Sequence, residues 1–574
     1  MPKDARAKPG LTVAIGQHSS AGQKPENQDF HGALIPAGQM LALKGIVLAV
    51  ADGISSSAIS REAAELSVKA LLTDYYATPD AWTARTAATR VITATNAWLF
   101  AQNRALSDIN AGRVCTLSTL ILKGREGHIL HLGDSRVSRF DGASLEPLTE
   151  DHRVVLSASE SYLGRAMGMA GKVQIDYRRL RLRVGDVFLL ASDGVHQHVS
   201  AKTVKQAMEA PSLDEAAERI VQAALDAGSD DNLTVQIVRI ESLPEADDMP
   251  GLDAAGLPLP RQVKPGDVID GFRLLREIHT TARSRVFLAS SPDGSKVAFK
   301  VPSAEMAQDA AYLNRFVFEE WIARRIASPH VLAAAKPPEQ RTALYVVTEF
   351  VEGTTLRQWI TDNPKPPLGK VRDIATQLAA GLRAFHRREM LHQDLRPENV
   401  MIDSNGTVKI IDLGSTAVAG VEEAAPGTLG ELPGTFQYTA PEYLSGEPAS
   451  WRSDQYALGA ILYEMLTGRL PYGPAVARIT NRREQMQLSY LPARDAGNGL
   501  PAFMDAALRR ACHPDPLRRY DALSEFVQDL KTPGPTFRAT RHVPLAERNP
   551  VRFWQGVSAA LALVCLMLAY HLTN

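Results

Sequence analysis

Residues 391–414 read LHQDLRPENVMIDSNGTVKIIDLG, and their polar residues stand where phosphoryl transfer needs them. Asp394 can orient a substrate hydroxyl and accept its proton, while Asn399 and Asp412 can bind Mg²⁺. A lone His-x-Asp is common background. Here His392-x-Asp394 is followed by Asn399, by Asp-x-Gly at 412–414 and by Ala-Pro-Glu at 440–442, an ordered series that chance does not supply. Upstream, VAFK places Lys300 where it can neutralise α- and β-phosphates, and RFVFEE places Glu319 on a following helix where it can hold Lys300. Downstream come SDQYALG (453–459) and DPLRRY (515–520), in which Arg519 is expected to pair with Glu442 in a structural role.

Taken in order, these motifs resemble the eukaryotic-type protein serine/threonine kinases over residues 269–530. The resemblance implies a bilobal fold, with a small β-rich lobe, a larger helical lobe and Mg²⁺-ATP between them. It implies Asp394, Lys300 and Arg396 as catalytic residues. Around the nucleotide it implies Ile278, His279, Thr281, Ser284, Val286, Lys300, Glu319, Glu349, Val351, Asn399 and Asp412, with Asn399 and Asp412 as metal ligands. Several positions depart from the family pattern. LRPEN replaces the usual LKPEN, so Arg396 brings the cation near the transferred phosphate. Gln393 replaces the arginine that ordinarily gathers a phosphorylated activation loop, which argues against loop phosphorylation as the main switch. Leu413 in DLG is a mild change. In the phosphate lid, IHTTARSRV puts His279, Thr281 and Ser284 at the three glycine positions, where a missing Cβ normally lets the backbone approach phosphate.

The N-terminal half has a second constellation. Asp52 in AVADG, Asp134 in HLGDSR, Asp193 in LASDG and Asp231 in GSDDNLT each adjoin an apolar strand-like run, and strand ends converge in a sheet. Hard divalent cations prefer such oxygen ligands. The successive segments KPENQDF, VADG, CTLSTLIL, HLGDSRV, LTEDHR, GDVFLLASDG and DDNLTV resemble the PPM family of metal-dependent protein serine/threonine phosphatases, the 2C type, over residues 12–240. The implied fold is a two-sheet α/β/β/α sandwich. The implied cofactors are two Mn²⁺ or Mg²⁺ ions, whose bridging water attacks a phosphoserine or phosphothreonine. By position, Asp52 would bridge the metals, Gly53 would offer its carbonyl, Asp193 and Asp231 would complete the shell of the first metal, and Asp29 would orient metal-bound water. Lys24 stands where an arginine commonly grips phosphate, Gln28 where a second-metal glutamate is frequent, and Gln197 where an aspartate can join the residue matching Asp134. A lysine keeps the charge but lacks the bidentate fork. Weaker metal binding is expected. Ile54 follows the Asp-Gly, so no histidine general acid is available there.

Between Glu241 and Gly271 five prolines accompany acidic and small residues, which reads as a linker. The expected domains are therefore a phosphatase at 1–242, a linker at 243–268, a kinase at 269–530, a juxtamembrane linker at 531–552 and a transmembrane helix at 553–571. The last rests on the uncharged run FWQGVSAALALVCLMLAY at 553–570, about 27 Å long as a helix against a hydrocarbon core of roughly 30 Å. Arg538, Arg541, Arg548 and Arg552 precede it and favour a cytoplasmic placement of both domains. No apolar segment near the N-terminus directs export. With 63 basic and 64 acidic residues there is no electrostatic case for nucleic acid, and three scattered cysteines suit a reducing compartment. The whole reads as a multidomain α+β, membrane-anchored signalling enzyme running opposed phosphoryl chemistry on protein serine and threonine, its own residues included. The alternative is an active phosphatase joined to a pseudokinase that senses ATP or serves as a scaffold.

Overall fold

The computed structural model describes residues 10–106, 108, 111–155, 161–244, 257–260, 262–338, 340–424, 437–494, 499–534 and 550–573. Its N-terminal half contains β1 (Thr12–Ser20), β2 (Asp29–Leu34), β3 (Ile46–Asp52), β4 (Leu117–Lys123), β5 (Glu126–Leu132), β6 (Arg136–Phe140), β7 (Leu145–Pro147), β8 (Arg153–Val155), β9 (Ser161–Leu163), β10 (Asp176–Arg181), β11 (Val187–Ala191) and β12 (Leu233–Ser242). Two antiparallel five-stranded sheets result, ordered β1-β12-β11-β6-β7 and β10-β5-β4-β3-β2.

The apolar run of β3 shows why the sheets stack. Side chains alternate across a strand. Ile46, Leu48 and Val50 therefore join Leu120, Val137, Phe188 and Val238 between the sheets. Val47, Ala49 and Ala51 face the other way, against the helices Ser60–Ala77 and Ala84–Asn103. The helix Leu213–Asp226 covers the outer face of the first sheet through Ala217, Ile220, Val221 and Ala224. Helices outside and two sheets inside give the expected sandwich.

The second half opens with a five-stranded sheet of β13 (Val268–Ile269), β14 (Phe272–Thr280), β15 (Ser284–Ser290), β16 (Lys296–Pro302) and β17 (Val346–Glu349) in that order. Phe272, Phe287, Phe299 and Tyr345 fill its core. The larger lobe is built on the helices Leu368–His386, Trp451–Thr467, Ala502–Ala511 and Leu523–Lys531. Ser450 and Ser453 close a reciprocal capping box at the start of Trp451–Thr467, and Gly468 ends that helix in the left-handed region at φ 68. Small strands complete the lobe, among them β18 (Gly353–Thr355), β19 (Met390–Leu391), β20 (Val400–Asp403), β21 (Val408–Ile410) and β22 (Ala417–Val418).

Two expectations change at the domain edges. The segment read as a linker joins the kinase sheet earlier than its prolines suggest. Pro258 accepts from Leu344 N–H at 2.9 Å, Val263 accepts from Arg285 Nη1 at 2.8 Å, and Val263 is buried. Residues 245–256 of that segment, and 535–549 with Arg538, Arg541 and Arg548, lie outside the described residues. The second change concerns the membrane span. A helix does form over Pro550–Thr573, but among the described residues no helix is long and apolar enough to cross a membrane. Its uncharged run at 553–570 would cover about 27 Å of a hydrocarbon layer of roughly 30 Å, and Gln555, Gly556 and Ser558 dilute its apolar character.

Candidate active sites

The kinase cleft is built around an ion pair. Lys300 on β16 and Glu319 on the helix Ala310–Arg325 meet at 2.6 Å. Burial opposes a charged Lys300, but the Glu319 and Asp412 carboxylates outweigh it and raise its pKa above the ordinary lysine value. Burial likewise opposes a charge on Asp412. Lys300 and the Gly414 N–H, 3.0 Å from Oδ1, nevertheless hold its carboxyl below the usual range. Asp394 is pushed the other way by burial, which suits a group that must take up a proton. Asn399 Nδ2 donates to the Asp394 carboxylate at 3.0 Å and to its carbonyl at 2.9 Å. These five residues meet in one cleft between the lobes.

Asp454 holds the catalytic loop in shape, a role the sequence reading did not assign to it. Its carboxylate accepts from the backbone N–H groups of His392 and Gln393, each at 3.0 Å, and lies 2.8 Å from His386 Nε2. Gln393 takes φ 66, a left-handed turn that Asp454 holds from both sides. The signal was present in SDQYALG, where an aspartate opens an otherwise apolar helix. Arg519 and Glu442 form the expected buried pair, bidentate at 2.7 Å. Arg396 lies 3.5 Å from Glu398. The Glu349 carboxylate is held by Lys409 at 2.8 Å, and its N–H donates to Ala333 C=O at 2.9 Å. Val351 beside it is buried.

The lid lacks glycine but is tied down. Ile278, His279 and Val286 lie on β14 and β15, whose register breaks between Glu277 and His279. Thr281 N–H donates to Ser284 C=O at 2.8 Å, and Ser284 N–H returns to Thr281 Oγ1 at 3.0 Å. Ser303 N–H and Tyr312 O–H both donate to Arg283 C=O, at 2.8 and 2.9 Å. Side-chain hydroxyls thus fix a turn that glycines would leave free.

In the phosphatase half, strand ends bring Asp52, Asp134, Asp193 and Asp231 to a cleft of about 260 Å³, with Gly53 and Arg153. The β2–β3 register sets Asp29 opposite Asp52. Gly53 has no room for a Cβ, which would stand 2.8 Å from Ser60 backbone. Burial raises the Asp52 carboxyl well above its usual range, and the neighbouring Asp29, Asp193, Asp134 and Asp231 raise it further. Burial pushes Asp29 up to about 6 against the hydroxyl of Ser192, which donates to it at 2.8 Å. Asp29 Oδ1 and Asp193 Oδ1 are buried without a hydrogen-bond partner among the described residues. Carboxylates so crowded suit a cation.

The cation now between them belongs to the protein. Arg153 on β8 donates to Asp134 through Nε and to Asp193 through Nη2, both at 2.6 Å. Lys24, expected at the phosphate, lies 3.6 Å from Asp231, and Gln28 Nε2 is spent on Ser57 C=O at 2.7 Å. Among the described residues no three His, Cys, Asp or Glu side chains are grouped closely enough to hold a metal ion, with Arg153 between Asp134 and Asp193 and Lys24 beside Asp231. The donor chemistry of Asp52, Asp193, Asp231 and the Gly53 carbonyl fits divalent ions.

Comparison with known proteins agrees with this division. Residues 272–541 match the family model for the protein kinase domain, and residues 16–233 match that for protein phosphatase 2C. The kinase part is similar to serine/threonine-protein kinase PrkC of Bacillus subtilis, 28% identical over 263 residues, covering 46% of this chain and 40% of the relative. It is also similar to PknB of Mycobacterium leprae, 31% identical over 273 residues, covering 46% and 42%. The chain thus spans about two fifths of the length of these curated relatives. Among solved structures, the Mycobacterium tuberculosis serine/threonine phosphatase PstP/Ppp is 24% identical with a TM-score of 0.35, covering 40% of this chain and all of that one. The chain therefore joins two domains of different families. It carries a 2C-type protein serine/threonine phosphatase domain followed by a serine/threonine protein kinase domain.

Proposed function

We propose that the chain is a bifunctional enzyme of phosphoprotein signalling. Its kinase domain transfers the ATP γ-phosphate to protein serine or threonine, and its phosphatase domain hydrolyses the phosphoester. The observation that carries the reading is the complete kinase constellation, with Lys300 held by Glu319 at 2.6 Å and Asp394 braced by Asn399 at 3.0 Å. In this reading Lys300 holds the α- and β-phosphates, Asp394 takes the hydroxyl proton, Arg396 faces the transferred phosphate, and Asn399 and Asp412 hold Mg²⁺. In the phosphatase, Asp52, the Gly53 carbonyl, Asp193 and Asp231 would hold the metals, Asp29 would orient water and Lys24 would meet phosphate. Two divalent ions supply an activated water and charge stabilisation when bound.

A second reading makes the kinase domain a nucleotide-sensing scaffold, and the glycine-free lid favours it. Radiolabel transfer from ATP to a generic protein substrate separates the two. In an Asp52→Asn background, where the phosphatase cannot remove product, the bifunctional reading expects labelling that Asp394→Asn eliminates. No labelling at saturating Mg²⁺-ATP would establish the scaffold reading.

Localisation at a membrane, with both domains cytoplasmic, is part of the proposal. It is supported by the uncovered apolar face of the C-terminal helix, where Leu561, Leu566, Met567 and Leu568 are each more than half exposed. Attachment rather than a full span is the form proposed, since among the described residues no helix is long and apolar enough to cross a membrane. Chain ended at Arg552 should appear in the soluble fraction, and full-length chain should sediment with membranes.

A further inference from the structure

Three parts of the kinase that frame its catalytic residues all rest on one edge of the phosphatase domain. The first is the helix that carries Glu319, whose Arg325 pairs with Asp80 at 2.9 Å. The second is Glu389, just before the catalytic loop, whose carboxylate accepts from Thr83 N–H at 3.0 Å and Thr86 Oγ1 at 2.6 Å. The third is the start of the activation segment. After Asp412 the chain pairs β22 with β19, directly ahead of His392, and then forms the short helix Ala419–Ala424. Gly420 N–H of that helix donates to Ala81 C=O at 2.9 Å.

Glu423 on the same helix is the centre of the contact. Its Oε2 accepts from Ala84 N–H at 2.7 Å, at the first turn of the helix Ala84–Asn103, and from Lys123 Nζ at 3.0 Å. His128 Nδ1 lies 3.7 Å from Oε1. Both charged partners are buried, the Lys123 side chain to 1% exposure and Glu423 to 7%. A desolvated ion pair is costly to break from one side, because the remaining charge stays buried without a partner. The fit is also steric. A Cβ on Gly420 would stand 2.6 Å from Trp82 C=O oxygen, and one on Gly124 would stand 2.2 Å from that of Ala424. Leu43 and Ala81 of the phosphatase pack into the hydrophobic cluster of the large kinase lobe. None of these residues lines the aspartate cleft.

We propose that the phosphatase domain, apart from its catalysis, is the docking surface that holds the start of the kinase activation segment in its working position. Gln393 leaves the catalytic loop without the arginine that would gather a phosphorylated segment. Docking of Glu423 and Gly420 onto residues 81–84, Lys123 and His128 supplies that order by tertiary contact instead. The effect on transfer rests on the kinase reading above, whereas the docking itself does not.

The test uses full-length chain in the Asp52→Asn background with Glu423→Ala and, separately, Gly420→Ala, which adds bulk without removing charge. Amide exchange over 417–424 should quicken and transfer to a generic substrate should fall, each about tenfold, as for one charge-assisted hydrogen bond lost. In chains with Asp52 intact, the same two variants should hydrolyse p-nitrophenyl phosphate with Mn²⁺ at the parent rate, which reports that the phosphatase remains folded. Unchanged exchange overturns the docking. Faster exchange with equal or greater transfer overturns its activating role. A parent that transfers nothing at all marks failure of the kinase reading, and exchange then decides the docking alone.

Discussion

The two clefts handle charge in opposite ways. The kinase cleft matches its charges internally: Lys300 lies against Glu319 and within reach of the field of Asp412, so the groups that meet nucleotide stand ready. The phosphatase cleft gathers an excess of carboxylate, raises the Asp52 carboxyl well above its normal range, and borrows Arg153 to separate Asp134 from Asp193. In the kinase cleft the chain itself presents a cation, Lys300, to phosphate, whereas the phosphatase cleft gathers carboxylates whose charge divalent ions would neutralise.

The largest effects should come from breaking each cleft at its centre. Asp394→Asn should lower transfer by about 10² to 10⁴, the usual contribution of a positioned acid or base, without abolishing nucleotide binding. Asp52→Asn should bring Mn²⁺-dependent hydrolysis below detection and remove the stabilisation by Mn²⁺ in a thermal melt. That stabilisation should amount to about 2.7 kcal/mol when Mn²⁺ is at a hundred times its Kd. Melting that responds equally to Mn²⁺ in both chains would break the comparison.

Acid should separate the halves next. His131, hydrogen-bonded to Ser118 and to the Glu150 carbonyl, is pushed down to about 4 by burial, and His152 beside it adds to the shift. Its folded pKa lies below the unfolded value, so the unfolded chain binds the proton more readily between the two. The contribution is present above about pH 6.5 and is lost as pH falls towards 4. Asp29, raised to about 6, works with the opposite sign and gains for the folded state on acidification, so the comparison must be between variants. From pH 7 to pH 5 the parent should lose about 2 kcal/mol of its advantage over His131→Gln, measured by urea melts. A constant difference would show that His131 titrates normally.

Arg153→Met sharpens the contrast directly. Metal-free chain should melt lower, because Asp134 and Asp193 lose their counter-charge. Calorimetry should show Mn²⁺ binding about tenfold tighter, since one charge-assisted contact no longer has to be displaced. The smallest effect belongs to the lid. Tyr312→Phe removes one hydrogen bond to Arg283, and a change of roughly twofold to tenfold in the ATP KM is expected, read from initial rates in the Asp52→Asn background. Glycines placed together at 279, 281 and 284 should lower that KM, and a rise would show that the tied turn is itself the phosphate grip.

Much of this molecule is legible in order and spacing. His392, Asp394, Asn399, Asp412 and Glu442 must follow one another at near-fixed intervals because a catalytic loop and a short strand pair join them, and that local constraint is written along the chain. The unbroken apolar run of IVLAVAD foretells a strand buried on both faces for the same reason. The Asp-Gly turns after apolar runs likewise mark strand ends. What the sequence could not show depends on partners distant along the chain. Arg153 between Asp134 and Asp193, Asp454 under the turn at Gln393, Glu349 taken up by Lys409, and Glu423 seated on Lys123 300 positions away all depend on which surfaces the two folds bring together. Periodicity and motif spacing record short-range geometry. The choice of counter-charge for a buried group is made by desolvation and proximity, and only the tertiary structure decides those.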